Sequence, residues 1–166
     1  MTATLEKKSV LRVAHVALQL ERGGLEKLLV EFARRADRSR FDLRFVSLST
    51  RGTLAAEIEA HGWPVTALNE PPGLRPGIIA RLWRLFRKWN LDILHTHNTK
   101  PLLYAKPAAR LAGIPRAVHT CHGQHLSEYP YRWCFNALCR SCDRIICVSQ
   151  DIARLCVRDG LPEEKL

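Results

Sequence analysis

Apolar positions along this chain fall into two kinds of run that take turns. Val10–Leu18 is almost continuously apolar, as a central parallel strand covered on both faces must be. Leu25, Leu28, Leu29, Phe32, Ala33 and Ala36 then recur with helical spacing. Phe41–Leu48 predicts a second strand, Thr53–His61 a helix stopped by Gly62, and Val65–Leu68 a short third strand. A Pro/Gly-rich loop, Glu70–Gly77, separates these from the most amphipathic segment, Ile78–Trp89. At about 100° per residue its apolar residues fall within an arc of roughly 160°. Arg81, Arg84, Arg87 and Lys88 take the opposite side.

The second half repeats the alternation. Asp92–His95 predicts a strand and Lys100–Ala112 a helix with Gly113 as its stop, in which Pro107 should cause a kink or delay the start. Arg116–Thr120 predicts a strand, and Ser127–Cys142 a helix with Ser127 as cap and Pro130 in the first turn. Arg144–Val148 is a strand, and Gln150–Arg158 a helix closed by Gly160 and Pro162. Strands alternating with crossover helices specify an α/β fold: a Rossmann-like doubly wound parallel sheet with helices on both faces, in one domain spanning 1–166.

Composition narrows the class. With 46% hydrophobic and 25% charged residues the chain is neither disordered nor membrane-embedded, and no apolar run approaches the roughly 18–20 residues that span a bilayer. Met1–Ser9 is polar, without a signal-peptide core, so a cytoplasmic location is the expectation. The formal net charge of +10 calls for an anionic partner or a solvated basic face. The basic helix Ile78–Trp89, with Trp83, Phe86 and Trp89, leaves open an anionic membrane surface, which would put the protein at the inner face of the membrane; inward packing of its apolar arc is the alternative. No nucleic-acid motif is present, so nucleic acid is not expected as a partner. Cys139-Arg-Ser-Cys142 is a CxxC, but no second pair and no knuckle accompany it. The cysteines are read as small buried hydrophobes, and no metal site is expected.

Ligands of such folds bind beyond the C-terminal ends of the strands. Four loops lie there. Gly23-Gly24 opens the first helix, where backbone can approach a phosphate, although a plain tight turn would read the same. It is not a GxGxxG fingerprint, and the second strand ends without an acid, which disfavours a nicotinamide dinucleotide. His95-Thr96-His97-Asn98 ends the fourth strand, with both histidines on one face and His97 nearer the crevice. Thr120-Cys121-His122-Gly123 ends the fifth, where His122 could bond a substrate hydroxyl or phosphate, or satisfy nearby backbone. Ser149 reads as the cap of the last helix.

Gly23-Gly24-Leu25-Glu26, Asp92-Ile93-Leu94-His95-Thr96-His97, Thr120-Cys121-His122-Gly123 and Asp143-Arg144-Ile145-Ile146-Cys147-Val148-Ser149 occur in this order across roughly residues 10–166. That series resembles the N-terminal, acceptor-side domain of family 4 glycosyltransferases of the GT-B fold. The resemblance implies two Rossmann-like domains facing across a cleft, with the donor-binding C-terminal domain and its paired glutamates absent from this chain. It implies Gly23 and Gly24 at the donor diphosphate, His122 as the catalytic residue beside the donor sugar, and His97, Asn98 and Gly123 toward the acceptor. The implied function is retaining, metal-independent transfer of a hexosyl unit from a nucleotide sugar to a glycan or lipid-linked acceptor, with no cofactor. The chain alone is then expected to be inactive without the second domain. A non-catalytic module that binds a sugar or phosphate is the competing reading. Cys121 stands where such enzymes often carry an aromatic or acidic residue, and Pro107 interrupts a helix usually free of proline.

Overall fold

The computed structural model describes residues 10–21, 23–73, 75–123 and 132–166. Six strands form one sheet: β1 (Leu11–Ala17), β2 (Phe41–Ser47), β3 (Val65–Ala67), β4 (Ile93–His97), β5 (Arg116–Cys121) and β6 (Arg144–Cys147). Their spatial order is β3-β2-β1-β4-β5-β6, and every pairing is parallel. The helices are α1 (Gly24–Arg35), α2 (Ala55–Ala60), α3 (Gly77–Trp89), α4 (Thr99–Ala112), α5 (Arg132–Arg140) and α6 (Gln150–Arg158), followed by a 3-10 turn at Glu163–Lys165.

Helices cover the two faces because alternate strand residues are apolar on both. Val13, Ala17, Leu43 and Phe45 meet Leu29 and Ala33 of α1 and Ala55 and Ile58 of α2. On the other face Val16, Val46, Leu94, Ala117 and Ile145 meet Leu82 and Phe86 of α3, Leu102 and Ala105 of α4, Phe135 of α5 and Ile152 of α6. The apolar arc of α3 thus packs inward, leaving Arg84, Arg87 and Lys88 exposed and Trp83 at its margin. Arg81 is paired with Glu70 and donates to the Leu68 carbonyl.

The N-terminal rim of the sheet is tied twice by one device. Asp92 accepts the Arg12 backbone N–H at 2.8 Å and two guanidinium bonds at 3.0 Å. Asp143 does the same for the Ala117 N–H and the Arg116 side chain, at 2.8 and 2.9 Å.

Two elements differ from the sequence expectation, and a third falls partly outside the described residues. β4 runs on to His97 instead of ending at His95, because residues 93–96 pair with β1 and residues 93–97 pair with β5. α4 starts at Thr99 despite Pro107, so the proline does not delay it. α5 begins at Arg132 among the described residues, and the expected cap Ser127 and first-turn Pro130 lie outside them. Ser149 caps α6 as expected, its hydroxyl accepting from the Ile152 N–H.

Candidate functional site

The strand order reverses direction between β1 and β4, so the connections leaving these two neighbours depart to opposite faces and open a crevice at their C-terminal ends. A cavity of about 520 Å³ occupies that place. Leu18 and Gly24–Glu26 line it from the β1–α1 side, and Asn98–Pro101 from the β4–α4 side. His119, Cys121, His122 and Gly123 of β5 and its end, with Phe135 of α5, complete the wall.

Both helices that start here do so without a side-chain cap. Gly23 precedes α1 and Asn98 precedes α4, and among the described residues neither N-terminus has a side-chain cap hydrogen bond. Their first backbone N–H groups and the positive ends of two helix dipoles therefore converge on one cavity, beside Lys100. This is a local electrostatic setting for an anion. Glu26 is the opposing charge on the wall, and its carboxylate folds back over Gly23, so that a Cβ at Gly23 would run into it. Gly24 differs: a Cβ there would meet nothing within 4 Å. Asn98 sits at φ 66°, ψ 172°, a backbone region that side chains strongly disfavour.

Behind the cavity wall lies a group of buried histidines. The β1–β4 register sets His15 beside His95, and the period of two puts His97 on the same face. His15 Nδ1 lies 3.1 Å from His97 Nε2, and His97 Nδ1 lies 3.2 Å from His122 Nε2. His95 Nε2 is 2.7 Å from the Thr120 hydroxyl. Burial holds His15 and His97 well below the ordinary imidazole value of 6.5, reinforced by the neighbouring rings. Burial also lowers His95 to about 4, and lowers His122 less far. On the opposite face burial pushes His119 down to about 3; its Nδ1 lies 2.8 Å from the Thr96 hydroxyl, and its Nε2 has no hydrogen-bond partner among the described residues.

Ring nitrogens of His15, His95 and His97 approach one another within 4.8 Å, which invites a metal. Their arrangement does not fit one. Three imidazoles must aim lone pairs at a single point about 2.0–2.1 Å away. Here His95 packs its ring against His97 and His15, with centroids 4.3 and 4.8 Å apart, while His15 and His97 spend facing nitrogens on each other at 3.1 Å. Both nitrogens of His97 are already engaged.

Of the residues singled out in the sequence, Gly24, Asn98, His122 and Gly123 line one cavity, with Gly23 adjoining it as the N-cap of α1. His97 does not line it: it is fully buried and reaches the wall only through His122. Lys100 and His15 escaped sequence reasoning. Lys100 was recoverable, since it stands in the first turn after the His97-Asn98 strand end. His15 was not, because its contact depends on pairing between strands far apart in the chain.

A further apolar groove of about 820 Å³ runs along α1 on the histidine face, between Leu28 and Phe32 and the bare parts of β4–β6 at Ile93, Val118 and Ile146. Among the described residues no helix is long and apolar enough to cross a membrane.

Comparison with known proteins agrees with this geometry. The chain is 26% identical over 163 residues to the Escherichia coli UDP-Gal:alpha-D-GlcNAc-diphosphoundecaprenol alpha-1,3-galactosyltransferase, covering 91% of this chain and 42% of that protein. It thus spans less than half the length of that relative. Its fold matches the Anabaena protein Alr3699/HepE, whose crystal structure holds UDP and glucose, with a TM-score of 0.73, 18% identity and coverage of 93% of this chain and 43% of that one. A Rickettsia africae glycosyltransferase gives a TM-score of 0.71 at 15% identity, over 94% of this chain and 41% of that one. The family model described as Glycosyltransferase Family 4 matches residues 22–166. The alternating strands, the crevice at the β1/β4 reversal and this match lead to one statement: the chain belongs to glycosyltransferase family 4.

Proposed function

We propose that this chain is the acceptor-side half of a retaining glycosyltransferase that moves a hexosyl unit from a nucleotide sugar to a lipid-linked or glycan acceptor. The observation that carries the reading is the convergence of two uncapped helix N-termini, with Lys100 and His122, on one cavity. A leaving diphosphate gains negative charge as the sugar departs. Fixed N–H dipoles at Gly24–Glu26 and at the start of α4 stabilise that charge without reorganising, which is where electrostatic catalysis gains most. His122 orients the donor sugar at the end of β5, and Asn98 and Gly123 shape the side from which the acceptor approaches. His97 acts on this site from behind His122 and not by touching substrate. The chemistry needs only the charge and geometry of these groups, so the reaction runs without a metal or a cofactor. Because the E. coli relative is named for UDP-galactose and a diphosphoundecaprenol-linked sugar, those are the first donor and acceptor to assay.

Gly24→Val tests the phosphate role, since a Cβ at this position meets nothing within 4 Å and the side chain is added at the cavity wall. In protein that contains the donor half, sugar transfer should fall at least tenfold while thermal stability holds. Unchanged transfer overturns the phosphate role. Product anomers read by NMR test retention, and undiminished transfer in excess chelator tests metal independence. The chain alone should transfer no sugar from UDP-galactose. The exposed Arg84, Arg87 and Lys88 of α3, with Trp83 beside them, supply a cationic face for an anionic bilayer at the inner side of the membrane. Binding to acidic vesicles but not neutral ones supports that location, and failure on both ends it.

A further inference from the structure

His15, His97 and His122 form a continuous row from beneath α1 to the cavity wall, with bonds of 3.1 and 3.2 Å. His97, the middle member, is completely buried among apolar side chains and other imidazoles, so it is neutral. A neutral imidazole has one N–H and one lone pair. His97 must therefore donate to one neighbour and accept from the other, and the row has a direction. In one direction His15 Nδ1–H donates to His97 Nε2 and His97 Nδ1–H donates to His122 Nε2. The proton of His122 then sits on Nδ1, the nitrogen left for a ligand. In the other direction His122 Nε2–H donates to His97 Nδ1, His97 Nε2–H donates to His15 Nδ1, and His122 offers a lone pair instead.

We propose that His15 and His97 are positioning residues that fix which ring nitrogen of His122 carries the proton, and hence whether His122 donates to a ligand in the cavity or accepts from it. The significance for transfer rests on the reading of His122 given above; the tautomer itself does not. A hydroxyl or phosphate in the cavity faces a ring of preset polarity, and reversing that polarity requires three protons to change nitrogens together. His95 does not join the row, because its Nε2 is taken by the Thr120 hydroxyl; it packs its ring face against His97 at 4.3 Å between centroids and keeps the middle ring from turning. Phe32 and Phe45 pack around His15 at 5.1 Å between centroids and hold the far end.

The test is long-range 1H–15N correlation NMR on the chain with labelled histidine at pH 8, where all three rings are neutral and no substrate is needed. The wild-type chain should show one His122 tautomer. His97→Phe should release it to a mixture, and His97→Gln, whose amide also donates on one side and accepts on the other, should restore a single form. Should His97→Phe fail to fold, His15→Phe answers the same question from the far end, since loss of the first bond also removes the direction. A His122 tautomer population identical in the wild type and in a folded His97→Phe or His15→Phe chain overturns the proposal. Because no ligand enters the measurement, failure to bind or use a nucleotide sugar leaves this result distinct.

Discussion

The two faces of β4, β5 and β6 each bury a cluster of titratable side chains, and the clusters behave as opposites. Beneath α1 lie His15, His95 and His97: His15 bonds His97, His97 bonds His122, and His95 bonds Thr120 while packing its ring on His97. Beneath α5 and α6 lie Cys121, Cys139, Cys142, Cys147 and Cys156, with 3.8 Å between the Cys147 and Cys156 sulfurs. Hydrogen bonds from Cys121 and Cys147 lower the Cys156 thiol to about 7, but burial pushes up Cys139, Cys142 (to about 11) and Cys147 (to about 12), and these three stay protonated at any ordinary pH. They serve as small hydrophobes. The imidazoles carry direction and lead to the cavity. Burial alone does not make a titratable cluster functional; its connection to a wetted wall does.

The largest expected effect is in acid. The unfolded chain takes up histidine protons near pH 6.5, whereas the folded rings of His15, His95, His97 and His119 refuse them down to well below that value. Stability is therefore full above pH 6.5 and falls as the pH drops toward 4. Each ring held neutral contributes a loss of about 2 kcal/mol between pH 7.5 and 5. Urea midpoints across that range should move steeply, and a flat profile would show that the rings titrate freely. His15→Phe should reduce the acid loss by about 2 kcal/mol, one ring's portion. On the other face, Cys139→Ser should cost about 1–2 kcal/mol by burying a hydroxyl in an apolar site, equally at pH 5 and pH 8. A pH-dependent cost there would erase the contrast. The smallest effect is at Asn98, whose φ of 66° glycine accepts without strain: Asn98→Gly should stabilise by about 1 kcal/mol in the same titration.

Much of this could be read along the chain. Continuous apolar runs marked the strands, and Gly62, Gly113 and Gly160, all at positive φ, ended their helices where expected. Period-two alternation placed His95 and His97 on one face. The order of strands was not legible, because pairing between β1 and β4 joins residues with nothing local in common: His15 meets His97 across 82 positions. For the same reason His97 was expected at the crevice. Its burial follows from β4 continuing two residues further, with His97 paired to Thr120 of β5 and its ring bonded to His15 of β1. The backbone of Asn98 was hidden too, since asparagine at a strand end fits many turns.

Asp92 and Asp143 each stitch a neighbouring strand at the same end of the sheet, by backbone and by arginine together. That end is pinned by these ties, and the loops that line the cavity leave from the opposite one. Sequence drift in the loops after β1, β4 and β5 can then retune what is recognised without loosening the scaffold, whereas loss of either aspartate would be felt across the entire framework.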